Sequence, residues 1–518
     1  MNSFYEQLNN TLTDSSSNLC RTENGALGFR STGKRLLDLN FAISSLRGEP
    51  DHVVEQKFAD ALGDDVNTAI VWLFFARDAR EGAGERRLFR VGMRYLAREF
   101  PEKVRKLIPL VSEYGRWDDL LCMLGTKVED DALELIKNQL AQDMENMRAT
   151  KSISLCAKWM PSLNTSSKET RENAEILRLY IGITPRKYRK MLSALRGYLD
   201  VTERKMSSNR WEDIKYDGVP SRANLIYNDA FLRHDEARRR EFLGKVEKGE
   251  AKINSSVLFP HDIVHKYVGG YTYRLHSSSI DTALEEMWKA LPNTVKDGEG
   301  TIVVADGSGS MGSWLGGDTS VTAWEVAHAL AIYFAERLPG VYKDQYITFS
   351  SRPQLVKLGG AGTLLGKLKI AMQHAECANT NIEAVFDLIL ETAKKNRLRQ
   401  NEMPKNILII SDMEFDECAT INRASNQWSN VRPSKTLFKE IARRYKLAGY
   451  QLPRLVFWNV NSRTGTIPVK ENDLGVALVS GFSPNIAKMV LSGKLDPYEC
   501  LLETLNSPRY DAVRAALM

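Results

Sequence analysis

Residues 301–312 read TIVVADGSGSMG, a five-residue apolar run, then an acid, then glycines alternating with serines. An apolar run rich in β-branched residues that breaks at once into turn formers marks a buried strand ending in a tight loop. Further short apolar runs stand at 345–350 (QYITFS), 406–411 (NILIIS), 453–460 (PRLVFWNV) and 475–479 (GVALV). Helical periodicity fills 321–338, 382–398, 434–445 and 483–491. Several of the strands are continuously apolar instead of alternating, as expected when helices cover both faces of a parallel sheet. Residues 296–518 therefore read as a doubly wound, Rossmann-like α/β domain. Ligands in such sheets sit at the carboxyl edge, where Asp306 opens its loop.

Upstream the texture differs. From about residue 30 to 290 apolar residues recur three and four apart, over 68–80, 86–100, 129–147, 170–181, 185–199, 223–232 and 235–248, with few strand signals. Successive helix pairs bury their apolar faces by stacking on neighbours, so the expected architecture is a HEAT-like solenoid or ring of helical repeats. The polar stretch NTVKDGEG, 293–300, ends this texture. The expected division is a helical-repeat domain over 1–295 and the α/β domain over 296–518.

With 518 residues, 43% hydrophobic and 26% charged, the chain has the composition of an ordinary globular protein of two to four domains. Its six cysteines form no close pair of the kind used for zinc or a redox dithiol, so reduced, mostly buried thiols are expected. No apolar stretch approaches membrane-spanning length and the N-terminus lacks signal-peptide character, which points to a soluble, cytoplasmic protein. The net charge of +6 names no partner, but it averages two unlike regions. Residues 1–150 carry 20 Lys and Arg against 24 Asp and Glu, whereas 151–250 carry 21 against 14.

The loop after the first strand offers one carboxylate, Asp306, and two hydroxyls, Ser308 and Ser310, with glycines that let it fold closely around a small ion. A phosphate-binding loop needs a Gly-Lys-Ser/Thr ending, which is absent, and a nucleophile elbow needs Gly at position 306 or 308, where Asp and Ser stand. A plain Gly-Ser turn remains the simpler alternative. The pattern resembles the von Willebrand factor A fold, whose metal-ion-dependent adhesion site joins Asp-x-Ser-x-Ser to a Thr in a later loop and an Asp after a central strand. Thr380, in Ala378-Asn379-Thr380-Asn381, and Asp412, in Ile409-Ile410-Ser411-Asp412, match those parts. The resemblance implies Mg²⁺, or another divalent cation, held by the hydroxyls directly and by the carboxylates mostly through water, with a vacant position for an acidic group of a protein ligand. The acidic run that continues through Glu414, Asp416 and Glu417 is expected to be a solvated loop, the alternative being that it tunes the ion.

In the basic region, Arg186-Lys187-Tyr188-Arg189-Lys190 and then Arg196, Arg204 and Lys205 set cations on successive turns, with Tyr188 and Trp211 available for stacking. A solvated cationic helix face is the plainer reading. The arginines between 77 and 94, interleaved with Asp78, Glu81 and Glu85, are expected to pair within the molecule. His234-Asp235 and His261-Asp262 read as capping and packing features at helix starts. Helical repeats followed by an A-type domain resemble the Ro ribonucleoprotein (TROVE) architecture. Arg80–Arg87 (REGAGERR), Tyr114–Leu120 (YGRWDDL), Leu155–Trp159 (LCAKW) and Tyr188–Ser193 (YRKMLS) look like an uncharacterised Ro-related family. By that similarity Lys158, Arg186, Lys187, Arg189, Lys190 and Arg196 are candidates for contacting single-stranded or small structured RNA. The expected function is a non-enzymatic RNA-binding protein whose A domain holds Mg²⁺ for a protein ligand. The alternative is a metal-dependent interaction scaffold without RNA. No nucleophile paired with a base and no zinc ligand set favours an enzyme.

Overall fold

The computed structural model describes residues 18–269, 274–276, 278–295, 300–316, 320–350, 352–375, 380–416, 437–468, 476–486 and 496–518. The chain forms two compact units. One comprises Met1–Val66, Phe259–Asp281 and Pro292–Leu505; the other comprises Asn67–Leu258, Thr282–Leu291 and Asn506–Met518.

The first unit is α/β. A hairpin of β1 (Leu19–Arg21) and β2 (Leu27–Phe29) opens it, and a small ladder pairs β3 (Val268–Gly269) with β4 (Arg274–Leu275). Its main sheet holds β5 (Thr301–Asp306), β6 (Gln345–Phe349), β7 (Gln354–Lys357), β8 (Asn406–Ser411), β9 (Arg454–Asn459) and β10 (Val476–Ser480). The spatial order is β10-β9-β8-β5-β6-β7, with only β7 antiparallel. The chain enters at the middle, runs out to one edge and returns to build the other. Its loops therefore diverge between β5 and β8, the switch point at which doubly wound sheets bind ligands. The parallel register pairs Ala305 with Ile410, which sets Asp306 level with Ser411 and Asp412 one residue beyond it.

Helix Ala323–Arg337 is enclosed along nearly its full length, which suits its near-continuous small and apolar sequence, and the Thr322 hydroxyl caps it by accepting from Glu325 N. Helices Leu364–Gln373, Ile382–Asn396, Leu437–Leu447 and Pro497–Leu505 belong to the same unit, the last of them packed on β10. The N-terminal segment belongs to this unit as well. Helix Arg35–Phe41 turns Leu36, Leu37, Leu39 and Phe41 inward against β10, and Ser44 Oγ lies 2.7 Å from Ser480 Oγ. The strands expected from sequence fall within a residue or two of those observed. Strand β7 went unread, because four residues with one buried side chain carry little apolar signal, whereas helix Leu364–Gln373 went unread although Leu364, Leu365, Leu368 and Ala371 recur at helical spacing. Of the helix expected at 483–491 the described part is the single turn Pro484–Ile486; the remainder, like 434–436, lies outside the described residues.

The second unit is helical. Its longer elements are Arg86–Glu99, Glu129–Arg148, Lys168–Ile181, Pro185–Tyr198, Ser221–His234 and Glu236–Glu247, following Val66–Arg77. The arginine cluster does pair within the molecule, and three of its members pair with acids beyond the stretch itself. Arg77 and Arg90 each donate to buried Asp119 at 2.7 Å, and Arg86 pairs with Asp118. Asp78 instead holds Arg509 at 2.7 Å, in a C-terminal segment that also stacks Tyr510 on Tyr114. Asp262 caps its helix by accepting from Phe259 N, whereas His234 ends a helix and lies flat on Trp211 at 4.4 Å. Cys20, Cys122, Cys156 and Cys500 are free thiols, and burial pushes Cys122 up to about 12; Cys377 and Cys418 lie outside the described residues. Among the described residues no helix is long and apolar enough to cross a membrane.

Candidate functional site

At the carboxyl edge of the main sheet, Asp306 closes β5 and turns its carboxylate into hydrogen bonds on both oxygens. Oδ1 accepts from Ser308 N at 2.9 Å and Oδ2 from Ser411 Oγ at 2.6 Å. The hydroxyls of Ser308 and Ser310 stand 3.0 Å apart. Asp412 follows β8; its Oδ1 accepts from Glu414 N at 3.2 Å, while Oδ2 is buried with no hydrogen bond among the described residues. Thr380 precedes Asn381, the N-cap of helix Ile382–Asn396, and Asn381 N donates at 3.0 Å to Ser350 at the end of β6. All five residues expected from sequence, Asp306, Ser308, Ser310, Thr380 and Asp412, thus stand at one sheet edge, and all but the partly exposed Ser310 are buried.

Burial raises the pKa of Asp306 and of Asp412, and each is raised further by a like charge, Asp416 acting on Asp306 and Asp306 on Asp412. Donor groups beside the carboxylates oppose this, Ser411 and Ser308 at Asp306 and Ser310 near Asp412. A buried pair that resists its own negative charge is relieved by a cation placed between its members. Among the described residues no group of three or more His, Cys, Asp or Glu side chains is placed to hold a metal. The donors present are instead two carboxylates and three hydroxyls, an all-oxygen set that suits a hard divalent ion.

The expectation of a solvated acidic loop fails at Glu414, which is wholly buried. Its Oε1 accepts from Arg463 N, Thr464 N and Thr464 Oγ1, each at 2.9 Å, and its Oε2 from Glu23 N at 2.8 Å. An ionised carboxylate has room for about four donors, and here it fixes two backbone segments distant in sequence. Asn24 Nδ2 donates to Thr380 Oγ1 at 3.1 Å and to Glu414 O at 2.6 Å, and Thr22 Oγ1 donates to Phe415 O at 2.6 Å. Asp416 N donates to Thr380 O at 2.9 Å, and Glu417 lies outside the described residues. Sequence reading missed Glu23, Asn24, Ser411 and Arg463 as parts of this site, and of these Ser411, beside Asp412 at a strand end, carried a signal; Glu414 was named there, but with a solvated loop preferred.

In the helical unit, Arg186, Lys187, Arg189 and Lys190 are exposed on helix Pro185–Tyr198. Lys158 is half-buried, its ammonium 5.6 Å from the centre of the Trp159 ring. Arg196 is not presented outward: its guanidinium donates to Ala157 O at 2.9 Å, Ser162 Oγ at 2.9 Å and Met160 O at 2.7 Å. Tyr188 is buried and donates to Pro161 O, so it offers no face for stacking. Trp211 is already stacked on His234.

Residues 300–507 match a domain of unknown function (DUF7788), which contains all five candidate ligands. Residues 165–302 match another domain of unknown function (DUF2828), which contains the basic helix. The chain is also similar to an uncharacterised protein of Acanthamoeba polyphaga mimivirus, at 30% identity over 94% of this chain and 87% of that protein.

Proposed function

On the premise that the chain belongs to the same family as this mimivirus protein, we propose that it is a cation-dependent binding protein. In this reading the first unit is a von Willebrand factor A-type domain, and Asp306, Ser308, Ser310, Thr380 and Asp412 hold a divalent cation, Mg²⁺ in the first instance. The observation that carries it is the convergence of three separate loops on a buried carboxylate pair, one oxygen of which, Asp412 Oδ2, has no hydrogen bond among the described residues. Strand order supports it: taken in chain order the main sheet runs 3-2-1-4-5-6 with the third strand antiparallel.

When bound, the ion supplies hard positive charge with a position open to an incoming carboxylate. The chain's own part is to hold the donors still. Ser411 and the Ser308 amide fix Asp306, and the Glu414 amide fixes one oxygen of Asp412, so the oxygen donors that a divalent ion would meet are already oriented. An acidic side chain of a protein ligand is the group this arrangement attracts, and binding rather than catalysis is its role. Titration calorimetry with Mg²⁺ and Mn²⁺ tests this directly. Wild-type protein should bind one ion, and Asp306→Asn and Asp412→Asn should each weaken binding at least tenfold; unchanged binding in both would overturn the proposal.

A second function is favoured by the four exposed cations at 186, 187, 189 and 190. We infer that the helical unit, as a HEAT-like ring of the TROVE type, contacts RNA phosphates through them, with Lys158 near by. Reversing the four charges should abolish salt-dependent binding of single-stranded RNA. Capture of a protein partner through Asp306, with no nucleic acid in the purified complex, would instead leave a metal-dependent scaffold. Free thiols at the described cysteines support a cytoplasmic setting.

A further inference from the structure

Two side chains of opposite charge meet over the buried carboxylate pair. Arg463 Nη2 lies 2.6 Å from Glu23 Oε2 and 3.5 Å from Asp412 Oδ2, the oxygen without a hydrogen bond. Neither residue is anchored there by its own side chain alone. Their backbone amides both donate to the same buried carboxylate, Glu414, at 2.9 and 2.8 Å. Glu414 thus pins the two loops, while the side chains of Arg463 and Glu23 stay partly open to solvent, at 37% and 55% exposure. The guanidinium can leave Asp412 by rotating about its own bonds, with no movement of either loop.

A monovalent guanidinium and a divalent ion cannot share one carboxylate oxygen without strong repulsion. We propose that Arg463 holds the place of the ion at Asp412 when no ion is bound. On this reading, which rests on the cation site proposed above, the ion displaces Arg463 and frees Glu23 to act as the protein's own acidic ligand. Glu23 stands on the turn whose next residue, Asn24, touches Thr380, and its carboxylate meets the same Arg463 nitrogen that lies 3.5 Å from Asp412. It would then compete with the acidic group of a partner for the ion's open position. The N-terminal hairpin becomes a built-in brake on capture.

Calorimetric titration of the full chain with Mg²⁺ or Mn²⁺ tests both steps. Arg463→Gln should tighten ion binding about fivefold or more, because the competing charge is gone, whereas Arg463→Lys should stay within about twofold of wild type. Glu23→Gln placed in the Arg463→Gln background should weaken binding severalfold. If Glu23 served only to neutralise Arg463, that second substitution would have no effect, which overturns the internal-ligand step. Wild-type binding that is lost in Asp412→Asn but unchanged in Arg463→Gln overturns the displacement step and leaves the cation site standing. Absence of ion binding in wild type and in Arg463→Gln alike overturns the site itself. Since both side chains reach solvent, the variants should fold, and an unchanged circular dichroism spectrum checks this.

Discussion

His328 is enclosed by Trp324, whose ring lies nearly parallel at 4.1 Å, and by Tyr346, and burial pushes its imidazole down to about 4. In the unfolded chain the same group titrates near 6.5. The folded state therefore keeps His328 neutral, and its contribution is complete above pH 6.5 and lost as pH falls toward 4. The difference amounts to roughly 3 kcal/mol at the acid end. Wild-type protein should lose several more degrees of melting temperature between pH 7 and pH 4 than His328→Phe does, followed by thermal circular dichroism; parallel curves would remove the assignment. At this scale the gathering of Asp306, Ser308, Ser310, Thr380 and Asp412 at one sheet edge was legible in sequence, because each stands at or just beyond a strand end or just before a helix of a doubly wound sheet, whose loops meet at that edge. Glu414 was not. Its burial depends on amide groups at 23, 463 and 464, which only the folded chain brings to it.

Helix Pro185–Tyr198 shows what periodicity can and cannot convey. Thr184 caps it by accepting from Lys187 N, Pro185 occupies its first turn, and Tyr188, Leu192 and Leu195 point inward at the spacing of one helical face. All of this follows from local pattern. The separation of Arg196 from the other four cations does not, since its acceptors are carbonyls at 157 and 160 that no spacing announces. The two classes should behave oppositely under substitution. Arg196→Met, which keeps the apolar stem, should destabilise the helical unit by about 2 kcal/mol through loss of its buried hydrogen bonds. Charge reversal at 186, 187, 189 and 190 should leave the melting temperature within a degree or two and act on RNA binding alone. Thermal melts beside filter binding at two salt concentrations distinguish them, and equal destabilisation by both would void the division.

Across the whole molecule the change of texture near residue 295 is real in sequence, and the two domain matches meet there, at 300–302. The compact units nevertheless trade segments across it. The α/β unit takes residues from before 67, and the helical unit takes 506–518, whose Arg509 and Tyr510 sit against Asp78 and Tyr114. A linear cut is all that composition can suggest, because long-range pairing leaves no mark on local pattern. Residues 296–518 expressed alone would lack Phe41, whose carbonyl accepts from buried Asn459, and Ser44, which bonds Ser480. This fragment should show no cooperative melt by circular dichroism, and a sharp transition would show that the N-terminal segment is dispensable. The same arrangement sets a timing problem during synthesis. Leu36, Leu37 and Phe41 emerge about 435 residues ahead of β10, the strand on which their helix packs. At about 5–20 residues per second, the helix waits roughly 20 to 90 seconds on the ribosome with its apolar face lacking that partner. A nascent chain with such a delay is a natural client for holding chaperones, and translation speed should govern how much of it folds.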